Sequence, residues 1–101
     1  MTPLELLTKM RARLEKPEAW CQIFRALDGA GEQVDPDSDR ACTWCLFGAM
    51  QSFHGERHGE RLKQLCGVDS FMVFNDEYGR THAEILALLD AGIERAKAVA
   101  S

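Results

Sequence analysis

The sequence predicts a mainly α-helical fold: a compact single domain over residues 1–101, built from three to four helices with room for one short β-hairpin. Three observations carry this prediction. Two capping boxes, Thr2-Pro3-Leu4-Glu5 and Thr81-His82-Ala83-Glu84, mark helix starts near the two ends. Apolar residues recur behind each of them at spacings of three to four. A third stretch, Ala41 to Phe53, has the same period and is apolar over most of its circumference, the pattern of a central helix.

The first helix, over about 3–15, opens with Pro3 at its first position and carries Leu4, Leu7, Met10 and Leu14 on one stripe. Arg11, Arg13 and Lys16 oppose the negative end of its dipole, and Pro17 stops it. From Trp20 to Val34 the apolar run is short and the Asp28-Gly29-Ala30-Gly31 turn follows. A hairpin within 20–34 and one extended arm both fit this segment. The loop Asp35 to Asp39 caps a second helix over about 39–53, which places Cys42 and Cys45 among core residues. His54 to Leu65 reads as a loop and a short surface helix ending at Gly67. Phe71 to Phe74 fits a short helix capped by Ser70 or an extended piece, and Asn75-Asp76 and Tyr78-Gly79 read as a turn. The last helix, over about 81–98, buries Ile85, Leu86, Leu88, Leu89, Ile93 and Ala96.

Apolar residues make up 46% and charged residues 28% of the 101 positions, so one core can form without a disulfide or a metal. The net charge is −4 and the chain lacks a basic cluster, which disfavours direct nucleic-acid binding. No apolar run is long enough for a membrane span, and the N-terminus does not read as a signal peptide. A cytoplasmic location with reduced cysteines is therefore expected.

Four constellations compete with their structural readings. Cys42, Cys45, His54 and His58 have ligand-like spacings for zinc. However, the cysteines lie in an apolar helix, and Gly55 and Gly59 weaken a helical histidine pair. Cys42-Thr43-Trp44-Cys45 also has the spacing of a thiol redox pair, but a charged, Pro-containing loop precedes it in place of a strand. Cys45 with His82 would suit a nucleophile and its base, although nothing in the sequence brings them together. Asp69, Asp76, Glu77 and Glu84 form an acidic neighbourhood better explained by turn and capping chemistry. The expectation is a non-enzymatic chain with no cofactor and inert core thiols.

The set Asp28-x2-Gly31, Ala41-x2-Trp44-Cys45-x2-Gly48-Ala49 and Phe74-Asn75-Asp76-x2-Gly79-Arg80-Thr81-x2-Glu84-Ile85-Leu86 resembles an uncharacterised family of small bacterial and phage proteins. Those proteins share a Cys-x-x-Gly-Ala helix and an Asn-Asp…Thr-x-x-Glu-Ile-Leu helix start. The resemblance covers roughly residues 20 to 97 and omits Cys42, His54 and His58, which counts against a family-wide metal site. It implies a phage or prophage context, in which small acidic proteins often bind and inhibit a host protein, including defence machinery. Protein binding is thus the expected function, as an inhibitor or accessory factor. The candidate contact residues are Trp20, Ile23, Phe24, Phe71, Met72 and Phe74, because their two segments carry more apolar side chains than loops need.

Overall fold

Helix α1 (Pro3–Arg13) starts as its capping box requires: the Thr2 hydroxyl accepts from the Glu5 amide at 3.1 Å, and the Glu5 carboxylate accepts from the Thr2 amide at 3.0 Å. The computed structural model describes residues 1–100, the side chain of Ala100 excepted. Leu6, Leu7, Met10 and the C-capping Leu14 are fully buried. Pro17 opens a short 3-10 turn, Pro17–Ala19, instead of ending the helix directly.

The longest helix, α5 in chain order (His82–Ala100), repeats the same device. The Thr81 hydroxyl accepts from the Glu84 amide and the Glu84 carboxylate accepts from the Thr81 amide. It packs along α1 and along α3 (Gly59–Cys66), burying Ile85, Leu89 and Ala96. Helix α3 is less superficial than its charge suggests, since Leu62, Leu65 and Cys66 face the core. It ends at Gly67, whose φ of 75° is the left-handed cap that glycine adopts without strain. Arg95 of α5 donates to the Leu65 carbonyl at 2.6 Å and so secures this end.

The middle of the chain departs from expectation. The predicted helix over 39–53 is a strand followed by a shorter helix: β2 (Ala41–Trp44), then α2 (Leu46–Ser52). Thr43 and Trp44 suit a pleated surface. The apolar run of 41–50 satisfies helical spacing and extended burial alike, so its period alone does not decide. Cys45 stands between them as the N-cap of α2, its sulfur accepting from the Gly48 amide at 3.2 Å.

The partner of β2 is β1 (Ala26–Asp28), antiparallel, with Ala26 opposite Trp44 and a register shift between Leu27 and Asp28. The hairpin, one of the two readings that fit 20–34, is thus only partly formed. The chain does turn back after Asp28, whose carboxylate accepts from the Ala30 and Glu32 amides at 2.9 Å each, and Leu27 bridges Gln33. The main ladder, however, is with Ala41–Trp44. Phe71 onward is helical, as α4 (Phe71–Asp76), capped by the Ser70 hydroxyl on the Val73 amide. Asn75 and Asp76 therefore form the last turn of a helix and not a free-standing turn. Among the described residues no helix is long and apolar enough to cross a membrane.

Candidate functional site

The segment Trp20–Arg25 is held at both ends by the junction of β2 and α2. The Cys21 amide donates to the Trp44 carbonyl at 3.1 Å, and the Cys45 amide donates to the Arg25 carbonyl at 3.3 Å. Between these anchors the chain arches outward. The Phe24 amide donates to the Gln22 carbonyl at 2.9 Å, closing a three-residue turn around Ile23 at φ 77°. This is the γ-turn that L-residues adopt under strain, and a β-branched residue in it is an outlier. The Ile23 side chain is 70% exposed, so burial does not repay that strain.

The turn is imposed from below by α4. Asn75 is fully buried. Its Oδ1 accepts from Trp20 Nε1 at 2.7 Å and from the Leu46 amide at 3.0 Å. Its Nδ2 donates to the Cys21 carbonyl at 3.1 Å and to Asp76 Oδ1 at 2.9 Å. Two acceptor positions and two donor hydrogens are thus all used. The same Asp76 Oδ1 accepts from the Ile23 amide at 2.9 Å, and Gln22 Nε2 donates to the Asn75 and Glu77 carbonyls. Gly48 completes the frame, because a Cβ there would lie 1.9 Å from the Arg25 carbonyl oxygen. Only glycine lets α2 begin this close to the arm.

Of the expected contact residues, Ile23 and Phe24 stand out from the arm, Phe24 being partly exposed. Trp20 is half-buried and committed to Asn75. Phe71 is buried, contrary to its expected place on a surface. Phe74 lies under the Arg80 guanidinium, 3.7 Å from its ring centre, while Met72 is exposed. Val73 and Tyr78 are exposed as well and were not anticipated. Val73 is signalled by its place in the apolar Phe71–Phe74 run, whereas Tyr78 beside Gly79 reads as a turn residue. Phe47, Met50, Phe71 and Met72 line a cleft of about 330 Å³ beside α4.

The zinc constellation is not assembled. Cys42 is exposed on β2 and Cys45 is buried at the α2 cap, so they do not share a helix face. The expectation of two core thiols therefore holds for Cys45 and fails for Cys42. His54 is exposed with its ring 3.6 Å from Asp37, and His58 ends a separate 3-10 turn, Glu56–His58. Among the described residues no three His, Cys, Asp or Glu side chains are gathered to hold a metal ion. His82 engages the Leu14 carbonyl at 2.6 Å and tilts against Trp20, and it makes no hydrogen bond to Cys45. In the acidic neighbourhood, Glu77 and Glu84 pair with Arg80, and Asp76 holds the Ile23 amide. Burial pushes the Cys45 thiol up and the Cys21 thiol up to about 11, so neither is an activated nucleophile at neutral pH.

No curated protein and no solved structure matches the chain. A family model does match, over residues 1–95, a span that takes in the arm, the Asn75 network and nearly all of α5. The chain belongs to that family, a family of unknown function (DUF6197).

Proposed function

We propose that this chain is a non-enzymatic protein-binding module that works in the cytoplasm without a cofactor. In this reading it acts on a host protein as an inhibitor or accessory factor of phage or prophage origin, host defence machinery included. One observation carries the proposal: Ile23 is held in a strained turn with its side chain in solvent, by a buried hydrogen-bond network that is otherwise fully satisfied. Strain retained at an exposed apolar side chain makes sense when that side chain meets a partner. Phe24, Met72, Val73 and Tyr78 add further exposed apolar area on the arm and around α4. The phage context rests on the motif resemblance and on nothing in the geometry.

The test is capture from host lysate at low salt with the tagged wild-type chain, Ile23→Asp and the control Val99→Asp, each shown to be folded by circular dichroism. Val99 is exposed on the last helix. The expected result is a partner retained by wild type and Val99→Asp and lost by Ile23→Asp. No retained partner, or one indifferent to Ile23→Asp, overturns the proposal.

A further inference from the structure

We propose that Cys21 and Cys45 are a disulfide-forming pair, oxidised by exchange with a low-molecular-weight disulfide, and that their cross-link ties the Trp20–Arg25 arm to the start of α2. Trp20 and Trp44 form a parallel bridge, so the next residues on each side, Cys21 and Cys45, follow in register. A single hydrogen bond, Cys21 N to Trp44 O at 3.1 Å, separates the two backbones. One such bond and its covalent neighbours put the two Cα atoms on the order of 5–6 Å apart, the usual span of a disulfide. Residues in register on neighbouring strands point to the same side, whereas Cys42 alternates away with Trp44. Electrostatic coupling supports the placement: a charge on Cys45 raises the Cys21 pKa. The Thr43 hydroxyl, on the same side of β2, is buried without a well-formed hydrogen bond, yet lies close enough to the Cys21 thiol to favour its thiolate.

The step balances as two exchanges. Cys21, the half-exposed member, loses its proton and attacks one sulfur of the small disulfide, and one small thiol leaves. Cys45, buried beneath it, then loses its proton and attacks the Cys21 sulfur of the mixed disulfide, releasing the second small thiol. The pair is oxidised by two electrons and the small disulfide is reduced to two thiols. Closure removes the contact from Cys21 Sγ to the Phe24 carbonyl at 3.3 Å, one of the bonds that hold the Ile23 turn. The inference stands whether or not the arm meets a partner.

The experiment uses the full chain, reduced and then exposed to oxidised glutathione between pH 8 and 9. The expected product has lost two hydrogens in mass, has two of its four thiols left and gives a Cys21–Cys45 cross-linked peptide. Because both sulfurs are raised in pKa, the rate should climb roughly tenfold per pH unit. Cys42→Ser should form the same product. Cys21→Ser and Cys45→Ser should abolish it, and serine keeps a hydrogen-bonding side chain at each site, including the cap at 45. Glutathione adducts alone, or a cross-link through Cys42 or Cys66 in the folded chain, would overturn the proposal.

Discussion

Replacing Ile23 tests the strained turn directly. At φ 77° an L-residue costs about 1–2 kcal/mol relative to its ordinary conformations, and glycine escapes that cost. Ile23→Gly also gives up side-chain contacts. The side chain is 70% exposed, so about a third of a full burial worth roughly 1.5–3 kcal/mol is lost, under about 1 kcal/mol. The added freedom of the unfolded chain subtracts a further ~0.4–1 kcal/mol. These contributions nearly cancel, so Ile23→Gly should lie within about 1 kcal/mol of wild type. Ile23→Ala makes the same loss of contacts but keeps a Cβ at positive φ. It should therefore fall below Ile23→Gly by about 1 kcal/mol, the reverse of the order seen in helices and strands. In a domain of this size that is a Tm difference of roughly 4–8 °C, readable by circular dichroism alongside urea melts. Alanine more stable than glycine at this position would refute the turn and the reading built on it.

Asn75→Ala should remove about 3–5 kcal/mol in urea unfolding, because Trp20 Nε1, the Leu46 amide and the Cys21 carbonyl lose their partner inside the protein; a loss under about 1 kcal/mol would show the network to be ornamental. Asn75→Asp should be equally damaged at neutral pH, where a carboxylate faces the Cys21 carbonyl and Asp76, and should recover as pH falls and the new group protonates. Gly48→Ala should cost about 3 kcal/mol and displace the arm, measured as faster amide exchange at the Cys45 N–H that binds Arg25. In acid, Glu5, Glu84 and Asp28 hold pKa values below their ordinary 4.5, 4.5 and 3.8, owing first to backbone hydrogen bonds from Thr2, Thr81 and Glu32. Lowered carboxyl pKa values contribute stability that is present above about 4.5 and lost as pH falls through the folded values, so Tm should drop in that window. Glu5→Gln with Glu84→Gln removes both titrating capping groups and should flatten the drop, and an unchanged slope would remove the capping boxes from the explanation.

The ends of the fold were legible because their chemistry is local. Thr2 with Glu5 and Thr81 with Glu84 act across three residues, and Gly67 stops α3 by its own conformational freedom. The middle was not, because Ala41–Trp44 is a strand only by virtue of Ala26–Asp28, thirteen or more positions earlier. Its own residues fit a helix period equally well, and tertiary pairing decides such cases. Asn75 escapes a sequence reading for a related reason: Asn-Asp is common turn chemistry, and nothing local says that Trp20 and Leu46 will converge on one amide. The exposure of Ile23 and Phe24 was anticipated only as an apolar excess, since no residue pattern announces an isoleucine at positive φ.

The distribution of positive φ shows why Ile23 stands apart. Among the described residues the left-handed region is occupied at Gly31, Gly67 and Gly79, and at two other positions, His54 and Ile23. Where this chain needs that conformation for a turn or a cap, it mostly uses glycine. His54 follows the end of α2, and histidine enters the region several-fold more readily than most residues. Ile23 has neither excuse: it is β-branched, and its side chain is too exposed for packing to compensate. Glycine at 23 would serve stability about equally well, since Asp76 and Gln22 would hold the same backbone without a side chain there. The isoleucine thus gives the isolated fold no net advantage over glycine, so the proposed function requires that its benefit lie outside the fold. A binding surface centred on this residue satisfies that requirement, and a glycine variant that melts like wild type yet fails to retain the partner would separate the two roles in one molecule.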